Sequence, residues 1–184
     1  MDALSAEQVS AAVGAAEVNL FQNHLAKNPP NKNHWPTTNF WQRAAQTVTS
    51  EATDNGVAIN VNQVGVAQRY YGGDIYPRDH LFLTIPARSA AYGRTAGDFS
   101  NLTVTYGRNG AFALVESLPG KISAGKKGAQ AAEADDAGGG ALFWLVRSVR
   151  QDPDPTVLPN ESEIAQAAKA AIASLLKSNG RTGN

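Results

Sequence analysis

Two groups of acidic side chains have the spacing that could support chemistry. Glu133, Asp135 and Asp136 lie close together, and carboxylates clustered in this way can bind a cation. Asp152 and Asp154 alternate with prolines, and such a pair could bind a cation or serve in general acid–base catalysis. The first group lies in a glycine-rich stretch and the second in a proline-rich one. These surroundings favour a solvated acidic patch and a rigid linker over a catalytic site.

Histidine and cysteine give no stronger candidate for catalysis. Asp79 and His80 are adjacent, so their side chains point apart in an extended segment, whereas a Ser/His/Asp triad needs an acid that orients the histidine. His24, His34 and His80 do not have the spacing of metal ligands. The chain has no cysteine, which excludes disulfides and zinc–thiolate sites. No nucleotide-binding or nucleophile-elbow motif occurs, and we predict no enzymatic activity and no cofactor.

Arginine and tyrosine are concentrated between residues 68 and 94. The arginines of this segment are Arg69, Arg78, Arg88 and Arg94, and the tyrosines are Tyr70, Tyr71, Tyr76 and Tyr92. Arginine with tyrosine is the composition of interface hot spots, because both residues combine apolar area with directed hydrogen bonds. The same composition occurs in nucleic-acid contacts. Solvated arginines and half-buried tyrosines with no binding role are the third interpretation.

The overall composition indicates a folded globular chain. It has 184 residues, 42% of them hydrophobic, and a formal net charge of zero. A strong nucleic-acid binder usually has an excess of basic residues, which is absent here. A chain without net charge also has little electrostatic repulsion between its copies to oppose self-association. No N-terminal apolar stretch follows a basic start, and no apolar run reaches membrane-spanning length, so we expect neither a signal peptide nor a membrane span. We therefore expect a protein made in the cytoplasm that contacts no membrane.

The first third of the chain predicts two helices and a hairpin. Ser5 and Gln8 form a capping box for a helix over residues 5–27, which the prolines after it end. Thr38 is a candidate cap for a short second helix. Alternating β-branched residues over 48–61, with an Asp-Asn-Gly turn in the middle, predict a β-hairpin.

The rest of the chain predicts a short helix that Gly72 or Gly73 stops, a strand halted by Pro86, a hairpin over 102–116 and a strand from residue 141. Residues 118–140 predict a flexible inserted loop. An extended linker and a last helix of about 16 residues follow, with a capping pair at Asn160. We predict an α+β fold: a mainly antiparallel sheet of about six strands with the N-terminal helix packed on it, one domain over 1–152, and a linker and helix over 153–184.

The order of "NQVGVAQRYYGG", "LTIPARSAAYG" and "ALFWLVRSVRQDPDPTVLP" resembles tailed-bacteriophage virion morphogenesis proteins, the tail-completion or head–tail joining proteins of the neck. The resemblance covers residues 62–159, with a looser fit before them. It implies a structural virion protein that forms a ring homo-oligomer, expected to be a hexamer, around the DNA channel. It implies neighbours on the portal side and on the tail-tube side, and neither enzymatic activity nor a cofactor.

Residue types and resemblance together indicate the subunit contacts. The candidates are Arg69, Tyr70, Tyr71, Gly72, Gly73, Pro86, Arg88, Lys126, Lys127, Trp144 and Arg147. Residues 118–140 and the chain after Pro153 are expected to reach neighbouring subunits, because both segments are polar or proline-punctuated and poorly able to fold alone. A tail terminator or minor capsid protein is the alternative within the structural class, and a nucleic-acid-binding module is the alternative outside it.

Overall fold

The computed structural model describes residues 4–28, 35, 38–106, 112–116 and 140–181. Its helices and strands, in chain order, are α1 (Ala6–Ala26), α2 (Phe40–Gln46), β1 (Val48–Thr53), β2 (Gly56–Val61), α3 (Val66–Tyr71), β3 (Gly73–Ile75), β4 (Leu83–Pro86), β5 (Leu102–Tyr106), β6 (Phe112–Glu116), β7 (Ala141–Val146), β8 (Val149–Gln151) and α4 (Glu161–Arg181). The predicted α+β class is confirmed. None of the helices in the described ranges has the length and hydrophobicity to span a bilayer.

The strands form three separate sheets. β1 pairs with β2, β3 pairs with β8, and the largest sheet has the order β4-β7-β6-β5 with every neighbour antiparallel. The number of strands in the described ranges is roughly as predicted, but they are divided among three sheets instead of forming one. Two of the strands, β3 and β8, have only three residues each. Such strands are too short to show the alternation of apolar and polar residues from which a strand is predicted.

The chain divides into two compact units. The first comprises Met1–Pro29, Asn39–Gly73 and Asp152–Asn184, and the second comprises Pro30–Thr38 and Asp74–Gln151. This division differs from the predicted domain over 1–152, because the C-terminal stretch packs with α1 instead of extending beyond the fold. The predicted loop over 118–140 lies outside the described residues, except for Gly140.

The first unit is built on α1. Its capping box forms as predicted: the Ser5 hydroxyl accepts from the Gln8 backbone N–H, and the Gln8 carboxamide accepts from the Ser5 N–H. The helix packs against α2, α4 and the β1–β2 hairpin. The approach to the hairpin is close, because a Cβ added to Gly14 would lie 2.9 Å from the Ser50 hydroxyl oxygen. A core then forms around buried residues of α1, α2, β1 and α3, namely Phe21, Leu25, Ala44, Ala45, Val48 and Val66.

The cap of α2 corrects the prediction made for Thr38. The helix begins at Phe40, and its N-cap is Asn39 in the left-handed conformation, with φ 54°. Asparagine is among the few side-chain-bearing residues that adopt this conformation readily, since its short amide can bond to the local backbone. The sequence pattern does not show which of two neighbouring polar residues, Thr38 or Asn39, caps the helix.

The segment after Asp152 is folded, which corrects the prediction of an extended linker. Asp154 caps a single 3-10 turn over Pro155–Val157 by accepting from the Thr156 N–H at 3.2 Å. His24 Nε2 on α1 donates to the carbonyl of Thr156 at 2.9 Å. Val157 is buried in this turn. Contacts with α1, more than 120 residues away in sequence, therefore fold a segment that reads as a spacer.

The last helix is longer than the predicted 16 residues. Asn160 and Glu163 cap it reciprocally, with backbone N–H to side-chain oxygen distances of 2.9 and 3.0 Å, as the sequence predicted. The helix has 21 residues and runs through Gly180, which was expected to follow it. Packing of α4 along α1 stabilises this helix and offsets the low helix propensity of glycine.

The second unit has its core on one face of the four-stranded sheet. Phe143 on β7 is fully buried and lies beside Leu114 of β6. A register shift between Leu114 and Val115 marks a β-bulge, and it allows the consecutive residues Leu142 and Phe143 to join the same core cluster. The short 3-10 segments after β4 cover this face with Ala91 and with Phe99, whose ring packs edge-on against Phe143.

Glu17 is a buried carboxyl in the first unit, and its pKa makes a testable prediction. The residue as a whole is only 8% exposed, although no side-chain oxygen or nitrogen in the described residues is both buried and without a hydrogen-bond partner. Burial raises its pKa above the usual value of 4.5. The native state therefore binds the proton more tightly than the unfolded state, so this group lowers stability as pH rises from below 4.5 through the raised native pKa.

We expect Glu17→Gln to raise the urea midpoint of unfolding at pH 7, because the amide resembles the protonated acid and carries no charge to bury. The gain should shrink at pH 4, where the wild-type carboxyl is largely protonated. Urea unfolding of both proteins at the two pH values measures this difference. A gain that is equal at both values, or a loss at pH 7, would contradict the assigned cause.

Candidate interaction surface

Two consecutive glycines turn the chain from α3 into β3. Gly72 has φ 69° and ψ −159°, and Gly73 has φ 116°, conformations that residues with a Cβ rarely adopt. The Gly72 N–H closes the helix on the Gln68 carbonyl at 2.9 Å, and the Gln68 amide donates to the Gly72 carbonyl at 3.0 Å. The prediction that one of these glycines stops the helix is confirmed.

Substitution at Gly72 tests this turn. Gly72→Ala is expected to lower the free energy of unfolding by about 1–3 kcal/mol, because alanine is strained in this region of φ and ψ. Gly180→Ala is the matched control, since a Cβ there meets nothing within 4 Å and alanine favours a helix. Urea unfolding of both variants should give opposite signs. An unchanged Gly72→Ala midpoint would mean that the turn adapts without strain.

The residues before these glycines form one polar and aromatic patch on the first unit. Tyr70 and Tyr71 pack edge to face with ring centroids 4.8 Å apart, and Tyr71 is 76% exposed. The Arg69 side chain is also exposed, while its carbonyl accepts from the Asp154 N–H at 2.9 Å. This bond joins α3 to the 3-10 turn. Arg69 and Tyr71 are thus available for contact on an anchored helix.

The strand end at Pro86 leads directly into Arg88. Pro86 is the last residue of β4, and the following Ala87 N–H donates to the Leu142 carbonyl at 2.8 Å. The half-buried Arg88 side chain then lies against Gly140, at a position where an added Cβ would overlap its guanidinium. Arg88 is therefore packed on the backbone that opens β7, and only part of it faces outward.

Trp144 lies on a central strand and is nevertheless 44% exposed. Its Cα partners are Ile85 on β4 and Ala113 on β6, so all three side chains lie on one side of the sheet. Leu83 and Val146, the next pair along, share this side. We call the surface formed by Leu83, Ile85, Ala113, Trp144 and Val146 the Trp144 face. It is the side of the sheet opposite to the Phe143 core.

Arg147 ends a row of aromatic rings at the other end of the sheet. Tyr106 packs on Phe112 with centroids 4.6 Å apart, and Phe112 packs on Phe82 at 5.5 Å. The Arg147 guanidinium carbon lies 6.0 Å from the centroid of Phe82, at the outer range of a cation–π contact. The row holds the side chains of three separate stretches of chain together. Lys126 and Lys127, the remaining candidates, lie outside the described residues.

The charged groups of the described ranges are dispersed. Arg150 and Asp74 form an exposed pair at 3.4 Å, and such pairs contribute little to stability. Hydrogen bonds from the Thr95 backbone and hydroxyl lower the pKa of Asp98, which caps a 3-10 turn. No group of three or more potential metal ligands occurs in the part of the chain that the structure describes. Asp154, an acid–base candidate by sequence, instead has the capping role given above.

The predicted contact residues thus divide between the two units. Arg69, Tyr70, Tyr71, Gly72 and Gly73 belong to the first, whereas Pro86, Arg88, Trp144 and Arg147 belong to the second. The sequence did not predict the partly exposed Ile85 beside Trp144, nor the Tyr106–Phe112–Phe82 row. The alternation of side chains along β4 and β5 predicts which residues share a face of the sheet. It does not indicate which of the two faces is covered by other parts of the chain.

No protein-family model, curated protein or solved structure gives a significant match to this chain. The resemblance of the sequence to phage neck proteins therefore stays a prediction.

Proposed function

We propose that this chain is a structural subunit of the neck of a tailed-phage virion, where it completes the tail or joins it to the head. It assembles with copies of itself as a ring, expected to be a hexamer, around the DNA channel. Its activity is binding, without catalysis or a cofactor. The order of the sequence motifs supports the family, and the geometry of the Trp144 face supports a binding role.

The exposure of Trp144 carries this proposal. A tryptophan on a central strand usually packs against a covering layer, because its large apolar surface is costly to leave in water. Here it stands beside Ile85 on a face that is partly open. Tryptophan is also the residue type most enriched in interface hot spots. In the proposed ring, a neighbouring subunit covers the Trp144 face.

Imaging of particles made without this protein tests the assignment. The gene would be deleted from the phage or prophage that carries it, and the particles would be viewed by negative stain. Filled heads separate from finished tails are the expected result. Overlong tails would point to tail termination instead, and normal infectious particles would overturn the neck assignment.

A nucleic-acid-binding role is the second candidate, and the aromatic row favours it. Tyr106 and Phe112 are packed rings on a sheet, tilted by 52° to each other, with Arg147 at the end of the row. Single-stranded nucleic acids bind aromatic side chains on such surfaces by base stacking. Binding of a labelled oligonucleotide that weakens steeply with salt, and that Tyr106→Ala reduces, would support it. No binding at low salt would exclude it.

A further inference from the structure

In the part of the chain that the structure describes, β5 forms one edge of the four-stranded sheet, and its own residues are not of the types that normally protect an edge. Within the described ranges, β6 is the strand that pairs with it. Its sequence, Leu-Thr-Val-Thr-Tyr, contains no charged residue, no proline and no glycine. The side chains of Val104 and Tyr106 are 52% and 73% exposed. Strand edges usually carry charges, prolines or bulges, because a bare edge pairs readily with another strand.

The opposite edge of the same sheet is protected. There β4 ends in Pro86, which has no N–H to donate to an added strand. The next N–H, that of Ala87, is already bonded to Leu142. Strand addition is therefore favoured at β5 and disfavoured at the proline end of β4.

The sequence of β5 is nearly symmetric about Val104. In an antiparallel pair of two copies centred on this residue, Val104 lies opposite Val104, Thr103 opposite Thr105, and Leu102 opposite Tyr106. Threonine pairs and aliphatic–aromatic pairs are favourable neighbours across strands, and no like charges meet. We infer that β5 pairs with β5 of a second copy of this chain, which joins the two sheets into one of eight strands.

The register is also fixed by the two faces of the strand. Leu102, Val104 and Tyr106 lie on the Phe143 side of the sheet, since their partners on β6 flank or include Leu114. A shift by one residue would place these apolar side chains opposite threonines. The register centred on Val104 pairs all five residues and keeps one apolar row continuous across both copies.

The contact is small and two-fold symmetric. A ladder of five residues falls short of the roughly 1,200–2,000 Å² that standard stable interfaces bury, so the dimer should dissociate on dilution. Each copy uses the same surface, whereas a ring needs two different surfaces. The inference is therefore independent of the proposed neck function and of the Trp144 face.

Charge reversal at the symmetry centre tests the pairing. Val104→Lys and Val104→Glu would each place like charges opposite each other, and both should weaken dimerisation of the full chain by about tenfold or more in sedimentation equilibrium. An equimolar mixture of the two variants should restore the dimer, because lysine then faces glutamate. Leu176→Lys on α4 is the control, since Leu176 is similarly exposed at 57% and lies outside the contact.

A cysteine reporter makes the test independent of charge. The chain contains no cysteine, so Val104→Cys introduces a single thiol at the symmetry centre. Mild oxidation should link it into a covalent dimer much faster than Leu176→Cys, and circular dichroism would verify that both variants are folded. A chain that stays monomeric at high concentration would overturn the inference. So would a dimer that Val104→Lys leaves unchanged, or equal cross-linking of the two cysteine variants.

Discussion

Phe143→Ala is expected to lower the free energy of unfolding by about 3–5 kcal/mol, the usual cost of removing a buried phenylalanine. Phe143 is fully buried on the central strand β7, where its ring packs edge-on against Phe99 at 5.6 Å and beside Leu114. Alanine would leave a cavity between the sheet and the segment that covers it. Because a domain of this size has only about 5–15 kcal/mol of net stability, the loss is large.

Urea unfolding with tryptophan fluorescence as the readout measures this loss, since Trp144 neighbours the substituted position. Thr84→Ala is the control, because Thr84 is an exposed residue of the same sheet and its change should stay within about 0.5 kcal/mol. A loss below 1 kcal/mol for Phe143→Ala would contradict the placement of the core on this face.

Trp144→Thr is expected to have the opposite profile: a small effect on folding and a large effect on assembly. Trp144 is adjacent to Phe143 but lies on the other face, where much of its surface is open. Threonine keeps the strand propensity. Removal of a hot-spot tryptophan costs about 2 kcal/mol or more of binding, which corresponds to roughly 30-fold in an association constant.

Mass photometry of the purified chain over a concentration series measures the ring fraction. Leu176→Gln provides the control, because it removes an exposed apolar side chain from a helix and glutamine has a good helix propensity. Equal assembly by the Trp144→Thr variant and by wild type would mean that the Trp144 face is ordinary surface. The β5 dimer, which Val104→Lys removes, is distinguished from the ring by its mass.

Local sequence signals predicted those elements whose determinants are close together in the chain. The reciprocal bonds of Ser5 with Gln8 form as the capping box requires. The β1–β2 hairpin forms with Thr53 opposite Gly56, around the predicted turn. Gly72 ends α3 because only a residue without a Cβ adopts its dihedral angles without steric strain. In each case the deciding residues lie within a few positions of one another.

Features that depend on distant contacts could not be predicted in the same way. The segment around Asp154 reads as a proline-rich spacer, but it folds because His24 of α1 bonds to the turn after it. The exposure of Trp144 depends on which side of β7 is covered, and an unbroken apolar run does not encode this. The bulge beside Leu114, which places two consecutive residues in the core, is also a property of pairing between strands.

The sequence predicted the residue types of the candidate site better than it predicted which of these residues are exposed. The arginine–tyrosine segment does contain the exposed Tyr71. The Arg88 guanidinium, by contrast, packs on Gly140, which reduces the part of it that can contact a partner. The edge strand β5 was predicted as one arm of a hairpin, and its lack of protection became visible only when β6 proved to be its neighbour within the described ranges. Sheet order is therefore the information that sequence patterns lacked.

Complementation of a deletion phage tests the neck role and the Trp144 face together most directly. Particles lacking the protein would be complemented with wild type, Trp144→Thr or Leu176→Gln and imaged by negative stain. We predict joined particles with wild type and Leu176→Gln, and filled heads beside finished but unattached tails with Trp144→Thr. Joined, infectious particles with Trp144→Thr, at the yield of wild type, would contradict the role of that face in the neck.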